Sequence, residues 1–149
     1  MDIIGNVEAI LKRKGNAVYS VRPDATVFEA IKRLAEVNIG ALLVMEDGKL
    51  LGVFSERDYT RKVALQGRDS RNTLVKDIIT NRLFTVPPSA TVSECLRLMV
   101  DNRIRHLPVV HEGNVIGVVS IGDLVNWIIS SQSAAIEQLE SYISGGYPA

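Results

Sequence analysis

Two serine–aspartate pairs are the residues in this chain best suited to chemistry. Gly52-Val-Phe-Ser55-Glu-Arg-Asp58 and Gly117-Val-Val-Ser120-Ile-Gly-Asp123 share one pattern: a glycine, two apolar residues, a serine, two variable residues and an aspartate. The pattern places serine at the carboxyl end of a strand and aspartate in the first turn of the helix that follows. A serine hydroxyl donates a hydrogen bond, and backbone N–H groups at a helix start suit an anion such as phosphate. A carboxylate there accepts two hydrogen bonds from a ribose diol. Together these are the parts of a nucleoside-phosphate site. Serine and aspartate are also ordinary helix caps, and a single copy would favour that plainer role. Two copies in one frame tilt the balance toward binding.

The elements that position these pairs are themselves duplicated. Residues 21–59 and 86–124 align without a gap at a shift of 65, and fourteen of the thirty-nine pairs are identical. Two copies are too few for a solenoid, so the expectation is a closed pair with approximate two-fold symmetry. Such a pair makes two related clefts where its halves meet, a common setting for ligands. Each copy opens a helix with a capping box, Thr26 with Glu29 and Thr91 with Glu94. Apolar stripes follow, Val27, Ala30, Ile31 and Leu34 in one, Val92, Cys95, Leu96 and Met99 in the other. Next come two strands, Leu42–Met45 with Lys49–Phe54 and Leu107–Val110 with Asn114–Val119, joined by Glu46-Asp47-Gly48 and His111-Glu112-Gly113. Helices start near Ser55 and Ser120. With a short strand at Ala17–Val21, each unit reads strand–helix–strand–strand–helix.

Around the copies, apolar spacing predicts an N-terminal helix over 3–14, stopped by Gly15. Residues 66–72 read as an exposed connection, and 73–79 as a short helix leading into the second unit. The last helix is expected to run to about Ile143. The expected division is 1–16 for the N-terminal helix, 17–72 and 73–144 for the two repeats, and 145–149 for a flexible tail.

The paired capping boxes, the Ile-Arg-His-Leu-Pro-Val-Val strand at 104–110 and the two glycine–serine–aspartate ends resemble a tandem pair of cystathionine β-synthase (CBS) domains, a Bateman module. The resemblance spans about residues 17–130. It implies an α/β (α+β) fold of two β-α-β-β-α repeats with pseudo-two-fold symmetry, flanked by the N-terminal helix and the long last one. It also implies a regulatory protein without catalysis that binds AMP, ADP, ATP or NAD(H), with S-adenosylmethionine behind them, in clefts between the repeats. Carried over by position, the second site takes Thr80, Thr85, Val86, Arg105, His106, Pro108, Ser120 and Asp123. The first takes Tyr19, Val21, Gly40, Ala41, Ser55, Arg57 and Asp58, with Arg61 near. In that family the aspartate holds the ribose, apolar residues near the first strand hold adenine, and basic or hydroxyl groups meet phosphate. The copies are not equivalent: Arg105 and His106 stand where the first has Gly40 and Ala41, and Arg57 stands where the second has Gly122.

Other function classes fit less well. Lys plus Arg equals Asp plus Glu at 17 each, so there is no overall basic field for nucleic acid. The longest apolar runs are too short to cross a bilayer, no signal peptide is expected, and one cysteine makes the cytoplasm the default compartment. Two histidines, His106 and His111, make no metal constellation, and no nucleophile with its base is visible. Cys95 is expected in the core, and Trp127 in a core or dimer interface. Apolar helix stripes suggest a homodimer; the downstream partner stays unnamed. The alternative is an interaction module with empty clefts, in which the motifs only cap helices.

Overall fold

In the computed structural model, residues 4–79 and 82–143 are described; Thr80 and the expected tail at 145–149 lie outside them. The elements follow the duplicated pattern. Helix α1 (Val7–Lys14) precedes β1 (Ser20–Val21), α2 (Val27–Val37), β2 (Ala41–Glu46), β3 (Lys49–Ser55) and α3 (Glu56–Tyr59). After it come α4 (Val92–Asn102), β4 (His106–His111), β5 (Asn114–Ser120) and α5 (Ile121–Ile143). The fold is α+β. No helix among the described residues is long and apolar enough to cross a membrane.

Local chemistry sets most of these boundaries. Thr26 accepts from the Glu29 N–H while Glu29 accepts from the Thr26 N–H, closing the expected box. At Thr91 the structure gives the threonine half, with Glu94 N–H donating at 3.0 Å. Both hairpins turn through two left-handed residues, Asp47 (φ 52°) with Gly48 (75°) and Glu112 (52°) with Gly113 (79°). That is the mirror-image turn whose twist matches the strands. β1 is shorter than expected: only Ser20 and Val21 pair, parallel to Leu43 and Val44. Its counterpart is a single bridge, Val86 to Val109, with Val86 N–H on the Pro108 carbonyl. Pro23 and Pro87-Pro88 lack the N–H needed to extend either.

The chain clusters into two compact units. One holds Ala17–Thr85 and Val110–Ile116, the other Met1–Asn16, Val86–Val109 and Gly117–Ala149. In the first, Val27, Ala30, Leu34, Leu42, Val44, Phe54, Val63, Val75 and Ile78 form one buried core. In the second, Val7, Ile10, Val92, Cys95, Met99, Leu107, Val109, Val119 and Leu124 are buried.

This clustering uncovers a further equivalence, at a shift of 68. Val75 and Lys76 donate to the carbonyls of Ala25 and Pro23, and Val27 donates to Thr73. In the other unit, Val7 and Glu8 donate to Ala90 and Pro88, and Val92 donates to Gly5. Thr26 bridges Leu74 as Thr91 bridges Asn6. Residues 73–79, expected as a helix leading into the second unit, therefore cluster with the first copy and form only a 3₁₀ turn at Val75–Asp77. The N-terminal helix does the same service for the second copy. It starts at Val7 rather than residue 3, because Asn6 caps it through the Ala9 N–H.

Candidate functional site

Each serine–aspartate pair sits where a strand hands over to a helix. Ser55 ends β3 and caps α3: Asp58 N–H donates to Ser55 Oγ at 3.2 Å, and Ser55 N–H donates to Asp58 Oδ2 at 2.9 Å. Ser120 ends β5 in the same way, with Asp123 N–H on Ser120 Oγ at 3.1 Å and Ser120 N–H on Asp123 Oδ2 at 2.8 Å. The helix starts are pinned from the side as well. Glu56 N–H donates to the Gly40 carbonyl at 3.1 Å, and Ile121 N–H donates to Arg105 at 2.9 Å. Gly40 and Arg105 thus act through their backbone carbonyls.

Each aspartate also has a lysine counter-ion. In the second unit, Lys14 at the end of α1 reaches Asp123 Oδ2 at 2.6 Å and the Val118 carbonyl at 2.8 Å. In the first, Lys62 lies 3.4 Å from Asp58 Oδ1 and donates to the Ile78 carbonyl at 3.0 Å. Sequence reasoning named Arg57 and Arg61 as the nearby cations and missed both lysines. Lys62 was legible as the i+4 partner of Asp58. Lys14 was not, because 109 residues separate it from Asp123.

Around Asp123 the structure gathers a charged group. His106 begins β4, and burial first, then the charges of Lys14 and Arg105, push its imidazole below 6.5 against the pull of Asp123. Asp123 is raised by burial, but hydrogen bonds from Lys14 and Ser120 outweigh that and hold it below 3.8. Arg105 is exposed, Val86 and Pro108 are buried, and Ser120 is half-buried. In the first unit Val21, Gly40, Ala41, Ser55, Arg57 and Asp58 are all half-buried. Tyr19 is exposed with the Arg33 guanidinium 5.6 Å from its ring, and Thr85 is exposed. His111 is exposed at its turn, and Cys95 is fully buried.

Chemically, capping occupies Oδ2 of each aspartate and leaves about a fifth to a quarter of each side chain accessible: 20 % for Asp123 and 24 % for Asp58. A carboxylate of this kind can cap a helix and still accept from a hydroxyl.

Comparison with known proteins agrees with the duplicated architecture. The CBS domain model matches twice, at residues 7–65 and 75–130. The chain is 41% identical over 150 residues to the CBS domain-containing protein CBSX3, mitochondrial, of Arabidopsis thaliana, covering 95% of this chain and 73% of that protein. The solved structure of a protein with CBS domains from Burkholderia ambifaria MC40-6 is similar with TM-score 0.82 at 45% identity, over 86% of this chain and 96% of that one. The CBS domain pair of protein MJ0100, solved in complex with 5′-methylthioadenosine and S-adenosyl-L-methionine, shares the fold at 23% identity and TM-score 0.75, over 86% and 98% of the two chains. With two matches that together span most of its length, the chain belongs to the CBS domain family.

Proposed function

We propose that this protein is a regulatory adenine-nucleotide sensor. It binds AMP, ADP, ATP or NAD(H) at its serine–aspartate ends without catalysing a reaction, and ligand occupancy favours one arrangement of the chain over another. The observation that carries the reading is the pair of partly accessible carboxylates, Asp58 and Asp123, held at helix starts by identical bonds. The fold supports it too, since MJ0100 carries two adenosine compounds on it. In the second site Asp123 takes the ribose, Ser120, Arg105 and His106 serve phosphate, and Val86 and Pro108 line the base. In the first, Asp58 takes the ribose, Ser55 and Arg57 serve phosphate, and Tyr19 and Val21 line the base beside Gly40 and Ala41. S-adenosylmethionine ranks behind the nucleotides, because Arg105, His106 and Lys14 suit an anionic tail.

Isothermal titration with AMP, ATP, NADH and S-adenosylmethionine tests this. Binding that weakens in Asp123→Ala or Asp58→Ala is expected. Silence toward all four at millimolar concentration overturns it. The capping bonds favour a second reading, an interaction module whose motifs serve only stability. Under it the same two variants lower the melting temperature and change no ligand response.

A homodimer and a cytoplasmic setting belong to the leading proposal. The latter rests on the single cysteine. The former rests on α5, where Val125, Ile129, Ile136, Leu139 and Ile143 are exposed. Their spacing of four, seven, three and four is the seam of a helix pair.

A further inference from the structure

We propose that helix α1 is part of the second ligand site: Arg13 and Lys14, with the facing side of α5, form the subsite that receives the anionic portion of a ligand whose ribose rests on Asp123. The inference depends on the adenosine reading above and adds a residue set and a specificity to it.

A groove of about 200 Å³ runs from Asp123 along α1 and α5. That is below the ~300 Å³ at which pockets begin to enclose whole small molecules, so it fits a portion of a ligand such as a phosphate chain. Its α5 wall is one helical face, since Asp123, Asn126, Trp127 and Ser130 are spaced i, i+3, i+4 and i+7. The Asn126 amide and the Ser130 hydroxyl supply hydrogen-bonding groups. The α1 wall supplies two full positive charges, Arg13 and Lys14. The one acid in the lining, Asp123, already holds Lys14.

Both cations are pre-positioned. Two of the three N–H groups of Lys14 are engaged, by Asp123 Oδ2 and the Val118 carbonyl. A third remains for a ligand oxygen, and the side chain is 39% accessible. The Arg13 guanidinium lies 4.6 Å from the centroid of the Trp127 ring, which is anchored by its Nε1 donating to the Ile4 carbonyl at 2.7 Å. Against an anion stand the Asp123 carboxylate and the carboxyl end of α1, the latter worth roughly half a negative charge. The two cations outweigh both by about half a charge.

The two copies differ at the tryptophan position. At the position of Trp127 the first copy has Lys62, whose ammonium is held by Asp58 and the Ile78 carbonyl. The two sites therefore differ in what lies beyond the ribose.

The test compares adenosine, AMP and ATP by isothermal titration on the full chain and on Arg13→Gln, Lys14→Met and Asp123→Ala. Trp127, the sole tryptophan, gives a parallel fluorescence readout. ATP affinity is expected to fall about tenfold in each α1 variant, as for one lost charge-assisted bond. Adenosine affinity should stay within about threefold, and ATP but not adenosine should shift the Trp127 emission. Equal losses for both ligands would mark α1 as merely structural and overturn the subsite. So would ATP binding that needs Asp123 yet ignores Arg13→Gln, an outcome that leaves the adenosine reading standing. No binding by the unaltered chain sinks both. Arg13 is exposed, so its variant decides the matter even if Lys14→Met loosens the helix.

Discussion

At Asp123, burial and pairing pull in opposite directions, and pairing prevails. Its carboxyl titrates below 3.8, so the unfolded chain takes up the proton first on acidification. The Lys14 pair therefore stabilises the fold above that range, and its contribution is lost as pH falls through the depressed folded value. Lys14→Met should cost about 1 kcal/mol at pH 7, a charge-assisted bond discounted because the lysine is accessible. Urea denaturation at pH 7 and pH 3 should show the difference from the unaltered chain shrinking at the lower pH. His106 is also depressed, so stability falls as pH drops from 6.5 through its folded value. A phosphate beside it would raise its pKa. Nucleotide binding near pH 6 should then take up protons, seen as heats that vary with the ionisation enthalpy of the buffer. His106→Gln should abolish that variation. Cys95, pushed up to about 11 chiefly by burial, should react with thiol reagents only after unfolding.

At the scale of elements, the motif glycines are explained by what presses on them. A Cβ at Gly117 would lie 2.8 and 2.9 Å from the Leu11 methyls, and one at Gly52 would lie 3.1 Å from Ile79 Cδ1. Leu11 and Ile79 are equivalent under the shift of 68. Gly117→Ala should cost roughly 1–2 kcal/mol and Gly52→Ala less, since overpacking scales with the overlap that must be relieved; thermal melts of both variants check the order. The hairpins, the Thr26 box and the helix at Ser120 were legible because their signals lie within a few residues of the structure they specify. The attachment of residues 5–11 and 73–79 was not. It depends on backbone bonds between segments that share too little sequence for alignment, and Lys14 escaped notice for the same reason. The serine–aspartate pairs were legible as strand-to-helix ends, but pattern alone could not show that capping would engage only Oδ2.

For the molecule as a whole, α1 is an integral part of the second unit. Removing residues 1–15 exposes the partners of Val7, Ile10 and Leu11, each at least nine-tenths buried. At about 1.5–3 kcal/mol per apolar side chain, that loss is at most roughly 9 kcal/mol. Hydrogen exchange should then accelerate in 86–109 and 117–131 before it does in 17–79. The proposed dimer is tested at this scale too. Leu139→Glu should shift sedimentation toward the monomer, and an unchanged species would remove α5 from the interface.

The docking of α1 also has a consequence for biosynthesis. Translation produces residues 4–14 well before Trp127, which receives Ile4 and is made 123 residues later. Val7, Ile10 and Leu11 thus leave the ribosome before the residues that bury them, while residues 17–79 can already collapse together. A segment made before its partners is thus among the last to find its place, which makes residues 4–14 a natural point for chaperone capture.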